Sequence, residues 1–216
     1  MRDVYVYLGP SLSGKEARAI LDAEYLPPIR RGDLARLPET VRAVGIVDGE
    51  FYQSLSVSTK EIMRLLARGI KVFGAASVGA LRAAETHRYG MVGVGEIFRL
   101  FRDGVLDGDD EVAIAYEPET YRNVSDALVS IRRGLELAVE AGVIGETERA
   151  NLMERMKALY FPERSFRALD RMCPAVGEFL RRRGLPDMKA EDAREMLSVM
   201  RKACALTSEA EPVSAR

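Results

Sequence analysis

The chain has few cysteines and histidines, no tryptophan and almost no net charge, and these shortages argue against several classes of protein. Its 216 residues include one histidine, two cysteines and no tryptophan, and the formal net charge is −1. Two cysteines, Cys173 and Cys204, predict neither a disulfide framework nor a metal site. The near-neutral charge argues against general nucleic-acid binding, and no apolar run approaches the length of a membrane span. The N-terminus is too short and polar for a signal peptide, so the expected location is cytoplasmic.

What the first half does contain is an alternation of apolar runs and capped helical segments. Capping-box patterns begin at Ser13 and Ser58, and each precedes a helical pattern. Strands are predicted at 4–8, 41–47 and 70–76, with 112–116 as a candidate fourth. Repeated β–α units of this kind predict the α/β class, with a mainly parallel, layered, Rossmann-like sheet.

The second half changes character after Pro118. Apolar residues recur there at helical spacing from Val124 to Val139, and further helical segments follow. We therefore predict three parts: an α/β core over residues 1–118, an all-helical appendage over 119–206, and a disordered tail over 207–216.

The segment from Lys71 to Glu85 is the most informative for function. A short apolar run ends in small residues, and Ala75, Ser77 and Gly79 show the small-x-nucleophile-x-small spacing of a nucleophile elbow. A serine there lies at a helix N-terminus, where free N–H groups stabilise an oxyanion or bind an anion. Serine is also a favoured helix N-cap, so a purely structural interpretation stays open.

Other candidate residues follow the other predicted strands. Ligands of open α/β sheets bind at the carboxyl edge of the strands. The first loop there supplies Gly9, Pro10 and Ser11; the second supplies Asp48, Gly49 and Phe51, followed by Lys60 at the start of a helix. We expect these residues and Ser77 to share one edge.

Two side chains are candidates to activate Ser77. His87 lies ten residues further along the same predicted helix, which separates the two by about 15 Å, so it is better interpreted as a helix C-terminal residue. Lys60 has a flexible side chain, and partial desolvation would lower its pKa enough to accept a proton, as in Ser–Lys pairs. A solvated Lys60, or one paired with Asp48 or Glu50, is the competing interpretation.

Two further motifs suggest other chemistry. Residues 9–15 satisfy the G-x-x-x-x-G-K spacing of a phosphate loop, but Glu16 stands where Ser or Thr would bind Mg²⁺. Glu16 is also the expected capping partner of Ser13. The acidic run Asp107–Glu111 lacks full EF-hand spacing, and a solvated turn is the simpler interpretation.

Taken together, these motifs resemble those of the TfuA-like protein family over about the first 115 residues. The matching segments are Gly9-Pro10, Ala23–Pro28 with Arg31–Asp33, Ile46–Phe51, Thr59–Ile62, Gly74–Glu85, Gly90–Gly95 and Asp109–Ala113. The resemblance implies an accessory of a YcaO-type enzyme in making backbone thioamides, in modified peptides or in methyl-coenzyme M reductase. It implies no cofactor on this chain, because ATP and Mg²⁺ belong to the YcaO partner.

The resemblance also implies a sulfur source that suits the predicted edge, the C-terminal thiocarboxylate of a ThiS-like carrier. Ser77 would attack its carbonyl, Lys60 would move the proton, and Asp48 would hold or orient Lys60. The Val78 N–H and a donor from the Gly9–Ser13 loop would form the oxyanion hole. Gly49 and Phe51 would admit and cover a slender Gly-Gly tail. The alternative is a non-catalytic module that binds and activates the YcaO enzyme or its substrate.

Overall fold

The computed structural model describes residues 3–51 and 54–208, with side chains described up to residue 205. Over these residues the strands are β1 (Val4–Tyr7), β2 (Glu24–Leu26), β3 (Ala43–Ile46), β4 (Lys71–Gly74) and β5 (Val92–Gly93). The α-helices are α1 (Gly14–Ile20), α2 (Thr59–Ala67), α3 (Val78–Thr86), α4 (Glu96–Arg102), α5 (Leu128–Glu140), α6 (Glu146–Ala158), α7 (Phe166–Met172), α8 (Pro174–Arg183) and α9 (Met188–Ser208). Most of the predicted tail, residues 209–216, lies outside the described residues.

The five described strands form one parallel sheet in the order β2-β1-β3-β4-β5. This confirms the predicted α/β class and the three predicted strands at its centre. Sequence analysis missed the two edges, β2 and β5, which have three and two residues and too little apolar pattern to be recognised. The candidate strand at 112–116 is wrong: a short 3₁₀ turn over Asp109–Glu111 precedes it, and only Tyr116 forms an isolated bridge, with Asn123.

The helices of the first half begin where their caps predict. Ser58 and Glu61 form a complete capping box at the start of α2, and Ser13 accepts from the Glu16 N–H at the start of α1. Gly69, with φ of 78°, follows the end of α2 in a conformation that favours glycine. In the second half the predicted helix from 124 begins later, at Leu128; Val124 precedes it, is 63% exposed, and its N–H donates to the Ala115 carbonyl over 2.8 Å.

Close contact of α3 with β3 and β4 accounts for the two glycines on either side of Ser77. A Cβ added to Gly79 would lie 1.8 Å from the Ile46 carbonyl oxygen, and one added to Gly74 would lie 2.2 Å from the Gly79 carbonyl oxygen. Larger residues would therefore separate the helix from the sheet. The two glycines of the Gly-Ala-Ala-Ser-Val-Gly motif are therefore required by packing, whether or not Ser77 is a nucleophile.

The chain divides into two compact units. One combines Met1–Val105 with Lys189–Arg216, and the other is Leu106–Met188, whereas the sequence predicted divisions at 118 and 206. In the first unit, α9 packs alongside the sheet, where Ala193, Met196 and Met200 join a buried cluster that includes Val6 and Phe73. The long last helix thus contributes to the α/β core rather than to a helical appendage.

The second unit is helical and has its own core. Buried residues of α5, α6, α7 and α8 form one apolar cluster, with Leu128, Leu135, Leu152 and Leu169 among its members. Its acidic turn is solvated only in part: Asp107 and Asp109 are exposed, whereas Glu111 is 1% exposed and lies 2.7 Å from Arg132. Asp110 also has a basic partner in the same unit, Arg164.

Candidate functional site

The carboxyl edge of the sheet brings three loops together. The last residues of β1, β3 and β4 are register partners in adjacent strands. Two residues beyond the ends of these strands lie Gly9, Asp48 and Ala76. Continuing the register places these three residues side by side at the carboxyl edge. The prediction that the loops after the first, second and third predicted strands share one edge is consistent with this topology.

Ser77 follows a strained turn between β4 and α3. Ala76 has φ of 65°, and the Ser77 N–H donates to the Ala75 carbonyl over 2.8 Å, which closes a γ-turn around Ala76. This kind of turn is rare and strained. Holding a non-glycine residue at positive φ costs about 1–3 kcal/mol of stability, and residues in this conformation cluster at functional sites. The expected tight turn is present, with its strained residue immediately before the serine.

The Ser77 side chain does not cap its helix. Ser77 occupies the N-cap position of α3, yet its hydroxyl makes no capping hydrogen bond. The residue is 2% exposed. The following N–H, that of Val78, has no hydrogen-bond partner among residues 3–51 and 54–208. A hydroxyl and a buried N–H thus lie next to each other at the positive end of a helix, the arrangement that an acyl-transfer serine requires.

Asp48 organises the loop after β1. Its carboxylate accepts hydrogen bonds from the Gly9 N–H (2.9 Å), the Ser11 N–H (3.1 Å) and the Ser11 hydroxyl (2.6 Å). The N–H groups of Gly9 and Ser11 therefore already have a partner, and Pro10 has no N–H; the oxyanion contact of this loop stays a prediction. The same contacts argue against a phosphate loop, because the chain's own carboxylate occupies donors that a phosphate would need.

Lys189 is the site residue that sequence analysis missed. It lies near the start of α9, is 4% exposed, and places Nζ 3.8 Å from Asp48 Oδ1. The signal was present in the helix pattern: Lys189 and Asp192 share the stripe of α9 that continues through Ala193 and Met196, and charged residues on a buried stripe are unusual. Lys189 and Asp192 could have been recognised as buried only if α9 had been assigned to the α/β core.

Lys60 is placed differently from the expectation. It is the second residue of α2, it is exposed, and no ion pair within the described part of the chain includes it. The lysine that pairs with Asp48 is Lys189 rather than Lys60. Glu50, the other carboxylate considered for Lys60, pairs with Arg30. Lys60 is therefore solvated, and its pairing with Ser77 stays a prediction.

The remaining predicted residues have mixed roles. A Cβ at Gly49 would lie 2.6 Å from the Ile29 side chain, so packing against the loop after β2 already requires this glycine, and its contact with a substrate stays a prediction. Phe51 is half-buried, and the two residues after it lie outside the described part of the chain. His87 ends α3 as expected, with Nδ1 3.0 Å from the Ala84 carbonyl oxygen.

Neither cysteine is set up as a reactive thiolate. Cys173 is buried, and burial raises the pKa of the half-buried Cys204 thiol. Reactive cysteines need the opposite, a lowered pKa at an exposed and electropositive position. The two cysteines are therefore poorer candidates for a nucleophile than Ser77 is.

Comparison with models of known protein families identifies a match. The model of the family described as TfuA-like protein matches residues 48–165, which is more than half of the chain and includes Asp48 and Ser77 but not Lys189. No individual protein with a curated description matches significantly. Among the described helices, none combines the length and the apolar character needed to cross a membrane.

Proposed function

The chain belongs to the TfuA-like family, whose members are generally accessories of YcaO-type enzymes in thioamidation, and from this premise we propose that it supplies the sulfur. In this proposal the chain cleaves the C-terminal thiocarboxylate of a ThiS-like carrier protein and releases sulfide. The YcaO partner activates the amide of the peptide or protein substrate with ATP and Mg²⁺ and accepts the sulfide.

The observation that carries the proposal is the serine at the β4–α3 turn. Ser77 follows the strained γ-turn at Ala76, its hydroxyl makes no capping bond, and the neighbouring Val78 N–H has no partner among the described residues. A structural serine at this position would cap the helix and would need no strain. These features instead favour a nucleophile beside an oxyanion donor.

The chemistry proceeds in two balanced steps. The Ser77 oxygen bonds to the thiocarboxylate carbon, the C–S bond breaks, and the hydroxyl proton leaves with the sulfur as hydrogen sulfide ion. Water then attacks the acyl-serine, which regenerates the hydroxyl, leaves the carrier with a carboxylate and releases one proton to solvent. In this scheme the Val78 N–H stabilises the oxyanion of each tetrahedral intermediate, and Lys60 relays the protons.

Burial of Ser77 restricts the substrate. Because only 2% of the residue is exposed, the reacting carbonyl must arrive on an extended chain end without bulky side chains. The Gly-Gly terminus of a ThiS-like carrier has this shape. An internal peptide bond does not.

The test replaces Ser77 by alanine and measures sulfide released from a thiocarboxylated ThiS-like carrier. We expect Ser77→Ala to abolish sulfide release, by about 10³-fold or more, while binding to the YcaO partner is unchanged. Ser165→Ala is the matched control, because the Ser165 side chain accepts from the Ala168 N–H at the start of α7, where no site residue is predicted. Thioamide formation at the normal rate in Ser77→Ala, with the carrier as the sulfur source, would establish the non-catalytic binding module instead.

A further inference from the structure

A groove runs along one side of α8 in the helical unit, and the chemistry proposed above does not use it. The groove has a volume of about 550 Å³ and is lined by Val143, Ala175, Glu178, Phe179, Arg182 and Arg183. Five of these residues belong to α8 at the spacing i, i+3, i+4, i+7 and i+8, so they share one side of the helix. Val176 and Leu180 of the same helix are buried in the core of the unit. The helix is therefore held to the core by one side and lines the groove with another.

One part of the groove is apolar. Val143 and Phe179 are half-buried and pack against the buried cluster of the helical unit. Ala175 is exposed and adds a third apolar side chain. Because two of these three side chains rest on a close-packed core, the shape of the apolar part exists before a ligand binds. It can take one apolar side chain of a ligand.

The other part of the groove carries a positive charge in excess. It consists of Arg182, Arg183 and Glu178, two cations and one anion. Arg182 forms an ion pair with Glu178, whereas the Arg183 side chain has no ion-pair partner within residues 3–51 and 54–205. Arg183 lies in the last turn of α8, where the helix dipole favours a cation. The dipole accounts for a positive charge at this position but not for the apolar surface beside it.

The two parts together favour one kind of ligand. Four of the six lining residues are exposed, so the groove does not enclose a small molecule, whose sites bury most of the ligand surface. A second copy of the chain, docked groove to groove about a two-fold axis, would bring arginines together. A nucleic acid would leave the apolar part unused, and the net charge of −1 gives it no general attraction to this chain. A peptide segment with carboxylates and one apolar side chain complements both parts.

We propose that this groove is the docking site for an acidic segment of the YcaO-type partner enzyme. An apolar side chain of the segment packs on Val143 and Phe179, and one of its carboxylates binds the Arg183 guanidinium. The inference goes beyond the proposed function, because it rests on family membership and on the groove and requires no cleavage at Ser77. In this proposal the helical unit recognises the partner, and the unit with the sheet carries the candidate active site.

The first experiment measures the affinity of the whole chain for the YcaO-type enzyme by calorimetry. Arg183→Glu reverses the charge that has no described partner, and we expect Kd to rise by about tenfold or more. Arg155→Glu is the matched control, because Arg155 is likewise exposed, lies in the last turn of α6 and has no ion-pair partner in the described part of the chain. Equal Kd values for the two variants, or no binding by the wild type, would overturn the proposal.

The second experiment separates docking in the groove from attraction to a positive surface. Ala175→Lys adds a positive charge but also fills the apolar part of the groove, so we expect Kd to rise by about tenfold. A surface that acts through its charge alone would instead bind the enzyme more tightly. Ala158→Lys, at an exposed position at the end of α6, is the control. Unchanged or tighter binding by Ala175→Lys would refute the groove as the docking site.

Two further measurements distinguish the other outcomes. Sedimentation of the chain alone should show a monomer; a dimer that Ala175→Lys dissociates would assign the groove to a second copy and overturn the proposal. Sulfide release is measured separately for Arg183→Glu at saturating carrier and without the enzyme, and we expect the wild-type rate. If Ser77→Ala retains sulfide release, the proposed function fails while the Kd comparison still decides the docking site.

Discussion

Asp192 makes a quantitative prediction about pH and stability. It lies on α9, is 4% exposed, and accepts the backbone N–H groups of Glu96 and Ile97, each over 2.8 Å. Burial raises the pKa of its carboxyl to about 6 from an ordinary value of 3.8; the two N–H groups and Arg99 oppose the rise, and Glu195 adds to it. Asp192 therefore titrates near neutral pH in the folded protein.

The sign of the effect follows from linkage. Because the folded pKa of Asp192 exceeds the unfolded value, its contribution to stability is complete below about pH 3.8 and is lost as the pH rises through about 6. The difference between the two values corresponds to about 3 kcal/mol. About 2 kcal/mol of this is lost between about pH 4.5 and 7.5.

The measurement compares the wild type with Asp192→Asn in urea denaturation followed by circular dichroism across this pH range. Asparagine does not titrate, so the free energy of unfolding of the wild type should fall by about 2 kcal/mol relative to the variant. Any pH-independent change in hydrogen bonding shifts the curve without altering its slope. Glu191→Gln, on the same helix and exposed, is the control for loss of a carboxylate. Parallel curves within about 0.5 kcal/mol would refute the reasoning.

Two further substitutions test packing. Gly79→Ala should destabilise the protein by about 3 kcal/mol or more, because its Cβ would lie 1.8 Å from the Ile46 carbonyl oxygen; Gly14→Ala, which meets nothing within 4 Å, is the control in thermal denaturation. Equal melting temperatures of the two variants would contradict the close approach. Arg164→Met should cost the helical unit about 3 kcal/mol, because the buried guanidinium donates to three backbone carbonyls and to Asp110. A loss below about 1 kcal/mol in urea denaturation would contradict this role.

The centre of the fold and the position of Ser77 were predictable because their signals are local. Three apolar runs, two serine caps and a run of small residues encode β1, β3, β4 and the helices that follow them. Parallel topology then places the loops at one edge. The two short edge strands were not predictable, because a strand of two or three residues depends on its neighbour rather than on its own pattern.

The site was predictable only in part, because several of its residues depend on contacts distant in sequence. Asp48 and Ser77 follow strands and were recognised by that position. Lys189 comes from the last helix, and its place on a buried stripe of that helix does not show which distant carboxylate it meets. The positive φ of Ala76 and the hydrogen bond from Gly9 to Asp48 likewise depend on the tertiary structure, so they could not be predicted from the sequence.

By itself, the sequence determined the α/β class, the strand-to-helix turn that carries Ser77 and the family to which the chain belongs, since each depends on residues close together in the chain. Only the tertiary structure decided that Lys189 accompanies Asp48, that Lys60 is solvated and that α9 completes the core around the sheet. The physical reason is that the burial of a charge depends on which distant segment packs against it.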